Sequence, residues 1–359
     1  MISTNRRLRR TLFGVGLAGL CSGLALAETG DRADAGAAPA PMAAPAAPLV
    51  APVALPVVKV ADGAFEFFGA QEDASADNGG AIANLGFVIG ARCVAVIDTG
   101  GTAWEGERLR QAVRGLTSLP VCAVINTHMH PDHVYGNAAF LPGAGNEDVE
   151  SGNSGRAADG TPRQPVQFIG HARLAGALAA RRETYARAQQ RILGAAAAST
   201  ELVPPTVTVA PGQPYTLDLG GRQLQVRAWP TAHTDNDVTV FDEASSTLWA
   251  GDLLFVERTP VLDGSVNGWL AALDQIDGMN PRQVVPGHGA LGDWKAALSA
   301  ERRYLQVLRA DTRAAIKAHQ SLREAVDQIG LSEKGQWRLF DEYHRRNVAA
   351  AYAELEWED

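Results

Sequence analysis

The chain has 359 residues, of which 46% are hydrophobic and 20% are charged, a composition typical of a soluble globular protein. Acidic residues outnumber basic ones by 40 to 32, which gives a formal net charge of −8, and no basic block interrupts the sequence after its first residues. We therefore exclude a nucleic-acid partner, because nucleic-acid binding depends on clustered positive charge.

The first 27 residues have the pattern of a secretory signal peptide. Residues 5–10 (NRRLRR) are basic, residues 11–27 are apolar but too short to span a bilayer comfortably, and Ala25-Leu26-Ala27 is a cleavage signal. Cleavage there would remove four arginines and no acid, and would change the net charge from −8 to −12. The segment predicts a periplasmic protein without a stable membrane anchor and leaves the Sec and twin-arginine routes open.

The first strand patterns follow a linker. Residues 28–56 are rich in proline and alanine without apolar periodicity, which predicts a disordered linker. Strand patterns then occur in VVKV, AFEFFG, ANLGFVIG and CVAVIDTG, before a helical pattern over 106–119 and the strand VCAVINT. Residues 143–165 are polar and rich in glycine, which predicts a flexible insertion in a surface loop.

The second half repeats this organisation. A strand (VQFIGH) and a helix over about 172–198 precede five short strand patterns between residues 206 and 249, and the chain after 286 is helical. Two runs of strands, each followed by helices, predict an α+β protein with two sheets and helices outside them. We expect a domain over 57–300 and a C-terminal helical extension over 301–359.

The cysteines allow two interpretations. Only Cys93 and Cys122 remain after the predicted cleavage, and each begins or lies beside a strand pattern. A disulfide is conceivable in an exported protein. We favour two buried thiols that pack as small hydrophobic groups.

A cluster of histidines and aspartates indicates a metal site. The stretch THMHPDHVYGN (127–137) follows a strand pattern, and three more such residues lie in TAHTDND, TLWAGDLLF and VPGHGALGD. Five histidines and two aspartates offer enough nitrogen and oxygen ligands for two divalent ions. The predicted ligands are His128, His130, Asp132, His133, His233, Asp252 and His288.

Several neighbouring residues have roles that the sequence leaves open. Asp235 and Asp237 follow His233 and could either tune it or cap the next strand. The candidates to line a substrate pocket, which the sequence cannot rank, are Tyr185, Arg258, Asn267 and Trp269.

The motif order resembles that of the metallo-β-lactamase superfamily over roughly residues 57–292. The shared pattern is H-x-H-x-D-H after a strand, a histidine about a hundred residues later, then G-D and P-G-H-G. The resemblance implies a four-layer αββα sandwich with C-terminal helices and two zinc ions. One ion would be held by His128, His130 and His233, and the other by Asp132, His133 and His288.

The resemblance also assigns two aspartates. Asp252 would bridge the two ions, and Asp98 in VIDTG would orient a ligand through hydrogen bonds. Class B β-lactamases carry cysteine or serine in place of Asp252, which argues against a dedicated β-lactamase. Glyoxalase II-like thioesterases share the full ligand set.

A finer resemblance points to the SoxH-like group, which includes the zinc metallohydrolases of quinoprotein relay systems. It rests on NLGFVIG, AHTDNDVTVF, GDLLFVERTPVLDGSVNGWL and the tail WRLFDEYHRRNVAAAYAELEWE. It implies an exported dinuclear zinc hydrolase of a thioester, ester or lactone, with Asp132 handling the proton and a quinoprotein dehydrogenase system as partner. The alternatives are an iron-dependent oxidoreductase resembling sulfur dioxygenases, and a non-catalytic metal-binding partner of a quinoprotein system.

Overall fold

Two β-sheets face each other and carry helices on their outer sides. The structure is a computed structural model that describes residues 53–142, 165–197 and 201–358. The predicted signal peptide, most of the predicted linker and residues 143–164 of the predicted insertion lie outside these ranges. Within them, no helix combines the length and the apolar character that crossing a membrane requires.

The first sheet has seven strands in sequence order. They are β1 (Val58–Ala61), β2 (Ala64–Phe67), β3 (Leu85–Ile89), β4 (Val94–Ile97), β5 (Val121–Ile125), β6 (Gln167–His171) and β7 (Val207–Val209). The pairings from β1 to β4 are antiparallel, and those from β4 to β7 are parallel.

The second sheet has five strands in the order β12-β11-β10-β9-β8. They are β8 (Tyr215–Asp218), β9 (Gln223–Ala228), β10 (Val238–Asp242), β11 (Thr247–Phe255) and β12 (Gln283–His288). Only the β11–β12 pairing is parallel among these five described strands.

Seven α-helices occur in the described ranges. They are α1 (Ala103–Leu116), α2 (Pro131–Val134), α3 (Leu174–Leu193), α4 (Val266–Met279), α5 (Trp294–Lys317), α6 (Leu322–Ala325) and α7 (Phe340–Leu355). Short 3-10 helices cover Tyr135–Phe140, Gly194–Ala197 and Leu331–Glu333.

Strand β4 shows how the sequence builds the layers. Successive side chains of a strand point to opposite faces of its sheet. Ala95 and Ile97 accordingly pack between the sheets against β9 and β10, whereas Val94 and Val96 pack outwards against Leu109 of α1. On the other side, α4 and α5 pack on the second sheet, and α7 packs against α5 in the same apolar cluster. The result is the four-layer αββα sandwich, which confirms the predicted fold class.

Two observations concern the predicted segment limits. Leu55, at the end of the predicted linker, is only 3% exposed, and its N–H donates to the carbonyl of Arg108 on α1. Helix α5 begins after Asp293, whose side chain accepts the N–H of Ala296, and continues to Lys317. The limit expected after residue 300 therefore falls inside this helix.

Cys93 and Cys122 form a disulfide, so our preference for two thiols was wrong. Cys122 lies on β5 and Cys93 directly precedes β4, and the two Cα atoms are 5.8 Å apart. The strands β4 and β5 are parallel neighbours joined through α1. Strand patterns alone do not show which strands pair, and for this reason the sequence did not reveal the proximity.

Candidate metal centre

The predicted ligands gather where the central strands end. Asp98 follows β4, His128 comes three residues after β5, and His233 lies between β9 and β10. Asp252 lies inside β11, and His288 is the last residue of β12. Loops at strand ends can converge without breaking the sheets, and here they do so from both sheets.

Proline separates the two halves of the THMHPDH stretch. Pro131 is the first residue of α2, where its fixed φ and missing N–H suit a helix start. His130 is the N-cap residue of that helix and has an extended backbone conformation. Asp132 and His133 lie in the first turn of the helix. The change of backbone conformation at Pro131 therefore sends His130 and His133 towards different neighbours.

The seven predicted ligands form two groups, in each of which the ligand atoms lie within 4.8 Å of one another. The first contains His128, His130, His233 and Asp252, and the second contains Asp132, His133 and His288. Metal–ligand bonds of about 2.0–2.2 Å place the ligands of one ion within roughly this distance of each other.

The Asp252 carboxylate lies between the two groups. Its Oδ2 is 3.6 Å from Nε2 of His128 and 3.5 Å from Nε2 of His233. Its Oδ1 is 3.3 Å from Nε2 of His133, and its Oδ2 is 3.4 Å from Nε2 of His288. This is the position of a carboxylate that two ions could share.

Every histidine of the cluster is oriented through its second ring nitrogen. Such contacts fix the tautomer and aim the other nitrogen at a metal. They are His128 Nδ1 with Thr127 Oγ1 (3.0 Å), His130 Nε2 with Asp263 Oδ2 (3.2 Å), His133 Nδ1 with Asp98 Oδ2 (2.8 Å), His233 Nδ1 with Val261 O (2.6 Å) and His288 Nδ1 with Ile82 O (2.8 Å).

Asp98 contacts both Thr127, which precedes His128, and His133. It has a left-handed φ of 56°, which aspartate tolerates better than most residues. Its carboxylate accepts the N–H and the hydroxyl of Thr127 at 2.8 and 2.6 Å, and it also contacts His133. The side chain thus orients His133 directly and fixes the backbone just before His128.

Three buried polar atoms of the cluster have no hydrogen-bond partner among the residues that the structure describes. They are Nε2 of His128, Nε2 of His133 and Oδ1 of Asp252. Because buried polar groups are almost always satisfied, these unpartnered atoms, which come from both ligand groups, call for bound ligands. Imidazole and carboxylate are preferred ligands of zinc and similar divalent ions. The cluster therefore fits a dinuclear metal site.

The protonation states of the histidines fall into two sets. Although burial opposes the shift, Asp252 raises the pKa of His133 well above its usual value and also raises that of His288, so these two imidazoles must lose a proton to bind a metal. Burial lowers the pKa of His128 well below its usual value and that of His233 to about 3, so both are neutral and able to bind a metal. Burial alone would raise the pKa of Asp252, but His288 and His133 hold it well below its usual value. The same histidines keep the pKa of Asp132 low against the effect of burial.

The cluster opens on one side. The side chains of His128, His133, His233, Asp252 and His288 are at most 3% exposed. Those of His130 and Asp132 are 14% and 17% exposed. A substrate must approach past these two residues.

The sequence analysis missed Asp263 and Asn84. The Asn84 side chain donates to the carbonyls of Pro286 and Gly289 and so fixes the turn that carries His288. Asn84 lies in NLGFVIG and Asp263 in GDLLFVERTPVLDGSVNGWL, and each acts across more than 130 residues of chain. The two stretches supported the resemblance but did not show what either side chain contacts.

Helix α7 holds the loop that contains Asp263. The Asn347 side chain donates to the carbonyl of Pro260 at 2.6 Å and accepts the N–H of Leu262 at 2.9 Å. Between them, the carbonyl of Val261 accepts from His233. The buried amide of Asn347 thus connects the C-terminal helix to the loop that orients His233.

The structure shows the contacts of the residues whose roles the sequence left open. Asp237 accepts the N–H and hydroxyl of Thr234, so it builds the turn after His233 and does not contact the histidine directly. Trp269 packs edge-on against His233, and Asn267 is bound by Glu354. The remaining two pocket candidates differ in their partners.

The side chain of Arg258 is hydrogen-bonded within the protein, whereas that of Tyr185 has no hydrogen-bond partner among the described residues. The Arg258 guanidinium donates to the carbonyl of Glu72 and the hydroxyl of Tyr343. The Tyr185 hydroxyl makes no hydrogen bond to any residue in the described ranges.

An αββα sandwich with a two-group His/Asp cluster at its strand ends defines a class of metal-dependent enzymes. The family model "Metallo-beta-lactamase superfamily" matches residues 78–288, and the chain belongs to that superfamily. No curated protein matches the chain significantly.

Two solved structures are similar in fold. A metallo-β-lactamase from Pontibacter korlensis shares 20% identity at a TM-score of 0.51, over 70% of this chain and 99% of that one. The stereoselective inverting sec-alkylsulfatase Pisa1 from Pseudomonas sp. shares 15% identity at a TM-score of 0.60, over 84% of this chain and 50% of that one. The chain thus corresponds to half the length of the sulfatase.

Proposed function

We propose that the protein is an exported dinuclear zinc hydrolase that cleaves a thioester, ester or lactone. The observation that carries the proposal is the position of Asp252, within 3.3–3.6 Å of the metal-facing nitrogens of four histidines. The bridging aspartate favours a thioesterase-like enzyme, similar to glyoxalase II, over a dedicated β-lactamase.

Asp132 is the residue that would move the proton. When bound, two zinc ions supply an activated water and polarise the attacked carbonyl. The Asp132 Oδ2 lies 3.3 Å from Nε2 of His288, at the open side of the cluster. From this position the carboxylate could take a proton during attack and return it to the leaving group.

Export is part of the same proposal. The Cys93–Cys122 disulfide supports it, because structural disulfides persist in oxidising compartments such as the periplasm. The partner that we propose is a quinoprotein dehydrogenase system, on the strength of the SoxH-like motifs alone. Separation of periplasm from cytoplasm after expression of the full chain, followed by co-purification, tests both points.

The function is tested by an activity screen of the zinc-loaded protein on thioesters, esters, lactones and β-lactams. We expect hydrolysis of at least one acyl class, and a loss of about a hundredfold or more in Asp252→Ala and His288→Ala, because each removes a metal ligand. The matched control is His319→Asn, since His319 is exposed and outside the cluster. Unchanged activity in a folded Asp252→Ala variant would contradict the proposal.

The same screen separates the alternatives. Bound iron with oxygen consumption on a persulfide substrate would indicate a sulfur-dioxygenase-like oxidoreductase. Two bound metal ions with no turnover on any acyl substrate would indicate a non-catalytic partner.

A further inference from the structure

Two arginines and a tyrosine meet beside the open side of the metal centre. Arg181 and Tyr185 lie one helical turn apart on α3, and Arg346 lies on α7. Nη2 of Arg181 is 3.9 Å from Oδ2 of Asp263, and Nη2 of Arg346 is 3.7 Å from Oδ1 of the same carboxylate. Asp263 in turn contacts His130, so both guanidinium groups lie close to a predicted ligand.

The donors of these arginines remain available. Both contacts with Asp263 are longer than hydrogen bonds, and the shortest contact of that carboxylate goes to His130 at 3.2 Å. Neither arginine donates a hydrogen bond to another residue in the ranges that the structure describes. Their side chains are 34% and 57% exposed, so a ligand can reach them.

Other arginines on the same helices have carboxylates of their own. Arg187 on α3 pairs with Glu183, and Arg345 on α7 pairs with Asp327. Arg181 and Arg346, by contrast, share one carboxylate that already faces an imidazole. Two guanidinium groups therefore face one carboxylate at this rim, although the whole chain carries a net charge of −8.

Tyr185 adds a third donor at the same place. Its hydroxyl has no hydrogen-bond partner among the described residues, and the charges of Arg181, Asp263, Asp132 and Arg346 all act on it. Burial raises the pKa of Tyr185 above its usual value, so the group keeps its proton and can donate.

We propose that Arg181, Tyr185 and Arg346 form a subsite that binds a carboxylate of the substrate. Guanidinium groups present parallel N–H donors that match a carboxylate, and the phenol supplies one further hydrogen bond. The inference rests on the proposed hydrolase function and specifies its substrate class. The substrate is an acyl compound with a carboxylate some bonds away from the carbonyl that is attacked.

A matched pair of esters tests the subsite on the zinc-loaded full chain. The monoester of adipic acid with 4-nitrophenol carries the carboxylate, and 4-nitrophenyl hexanoate has the same chain length without it. We expect Arg181→Gln and Arg346→Gln to lower kcat/KM for the adipate ester about tenfold each, because each removes one charged partner of the anion. The hexanoate ester should change less than about twofold, since it makes no such contact.

Three controls make the result specific. Arg187→Gln and Arg345→Gln remove charges from the same two helices and should leave both esters unaffected. Arg181→Lys should recover part of the adipate preference. The zinc content of each variant shows whether the substitution disturbs the metal centre through Asp263. A loss of activity that is confined to the adipate ester, with the zinc content unchanged, excludes such a disturbance.

A binding measurement separates this proposal from the proposed function. In calorimetry, the monoamide of adipic acid, which carries one carboxylate, should bind the zinc-loaded wild type about tenfold more tightly than neutral hexanamide does, and Arg181→Gln should abolish the difference. If that holds without hydrolysis of any ester, the subsite stands and the hydrolase proposal falls. If both esters are hydrolysed but neither kcat/KM nor binding of the monoamide responds to the arginines, the subsite is wrong and the hydrolase proposal stands.

Discussion

The carboxylate of Asp263 lies 3.2 Å from Nε2 of His130, while the backbone N–H of Asp263 donates to the carbonyl of His233 at 2.9 Å. One residue thus orients two histidines of the first ligand group. His130 as a result directs its Nδ1 inwards, 3.1 Å from Nε2 of His233. The first group depends on a loop that contributes no ligand of its own.

The first prediction concerns this loop. Asp263→Ala should weaken the binding of one metal ion about 10–100-fold, the usual effect of losing a carboxylate behind a histidine ligand. The second ion, whose ligands do not contact Asp263, should be retained. Competition with a chelator measures both affinities. Asp274→Ala, which removes an exposed aspartate of α4, is the control; equal affinities in the two variants would contradict the assignment.

The second prediction concerns the support from α7. Asn347→Ala should lower the free energy of unfolding by about 2–4 kcal/mol, because it leaves the carbonyl of Pro260 and the N–H of Leu262 buried without partners. Denaturant unfolding of the metal-free protein measures this cost. Metal affinity should fall as well, since the loop that orients His233 loses its anchor. A destabilised variant with wild-type metal affinity would show that the loop does not need α7.

The third prediction concerns the close approach of β12 to Asp252. A Cβ atom added at Gly287 would lie 2.0 Å from Oδ1 of Asp252 and 2.6 Å from the backbone of Gly251. Gly287→Ala should therefore displace the carboxylate of Asp252 and reduce metal binding and hydrolysis together. Gly278→Ala on α4 is the control, because its Cβ meets nothing within 4 Å. It should be neutral or stabilise the helix by up to about 1 kcal/mol.

The fourth prediction concerns Glu66, which is buried between the sheets and accepts the indole N–H of Trp249 at 2.8 Å. Burial raises its pKa well above the usual value of 4.5. The stability linked to this group is therefore complete below pH 4.5 and is lost as the pH rises towards the pKa of the folded state.

Glu66→Gln should remove that dependence while keeping an acceptor for Trp249. The variant should gain stability relative to the wild type between pH 5 and pH 8, as measured by denaturant unfolding. The exposed carboxylate of Glu183 offers the control variant Glu183→Gln. A difference between Glu66→Gln and wild type that does not change with pH would contradict the assignment.

The sequence predicted the features that short local motifs encode, namely the strands and the candidate metal ligands. The seven proposed ligands occur in short motifs at strand ends, and apolar runs such as VAVI predict buried strands such as β4. The structure accordingly confirms the two-sheet sandwich and brings all seven side chains together.

What the sequence could not supply depends on long-range pairing. The Cys93–Cys122 bond requires that β4 and β5 be neighbours, and the role of Asn84 requires contact with residues about 200 positions away. Asp263 lies in a loop that Asn347 of α7 contacts from more than 80 residues along the chain. Composition and periodicity carry no information about such contacts.

The number of metal ions per chain tests the central claim most directly. Elemental analysis of the purified full chain should give close to two zinc ions for the wild type. His233→Ala and His288→Ala should each retain close to one, because each removes a ligand from a different group. A wild type with one ion or none, or two ions retained in both variants, would contradict a dinuclear centre built from these two groups.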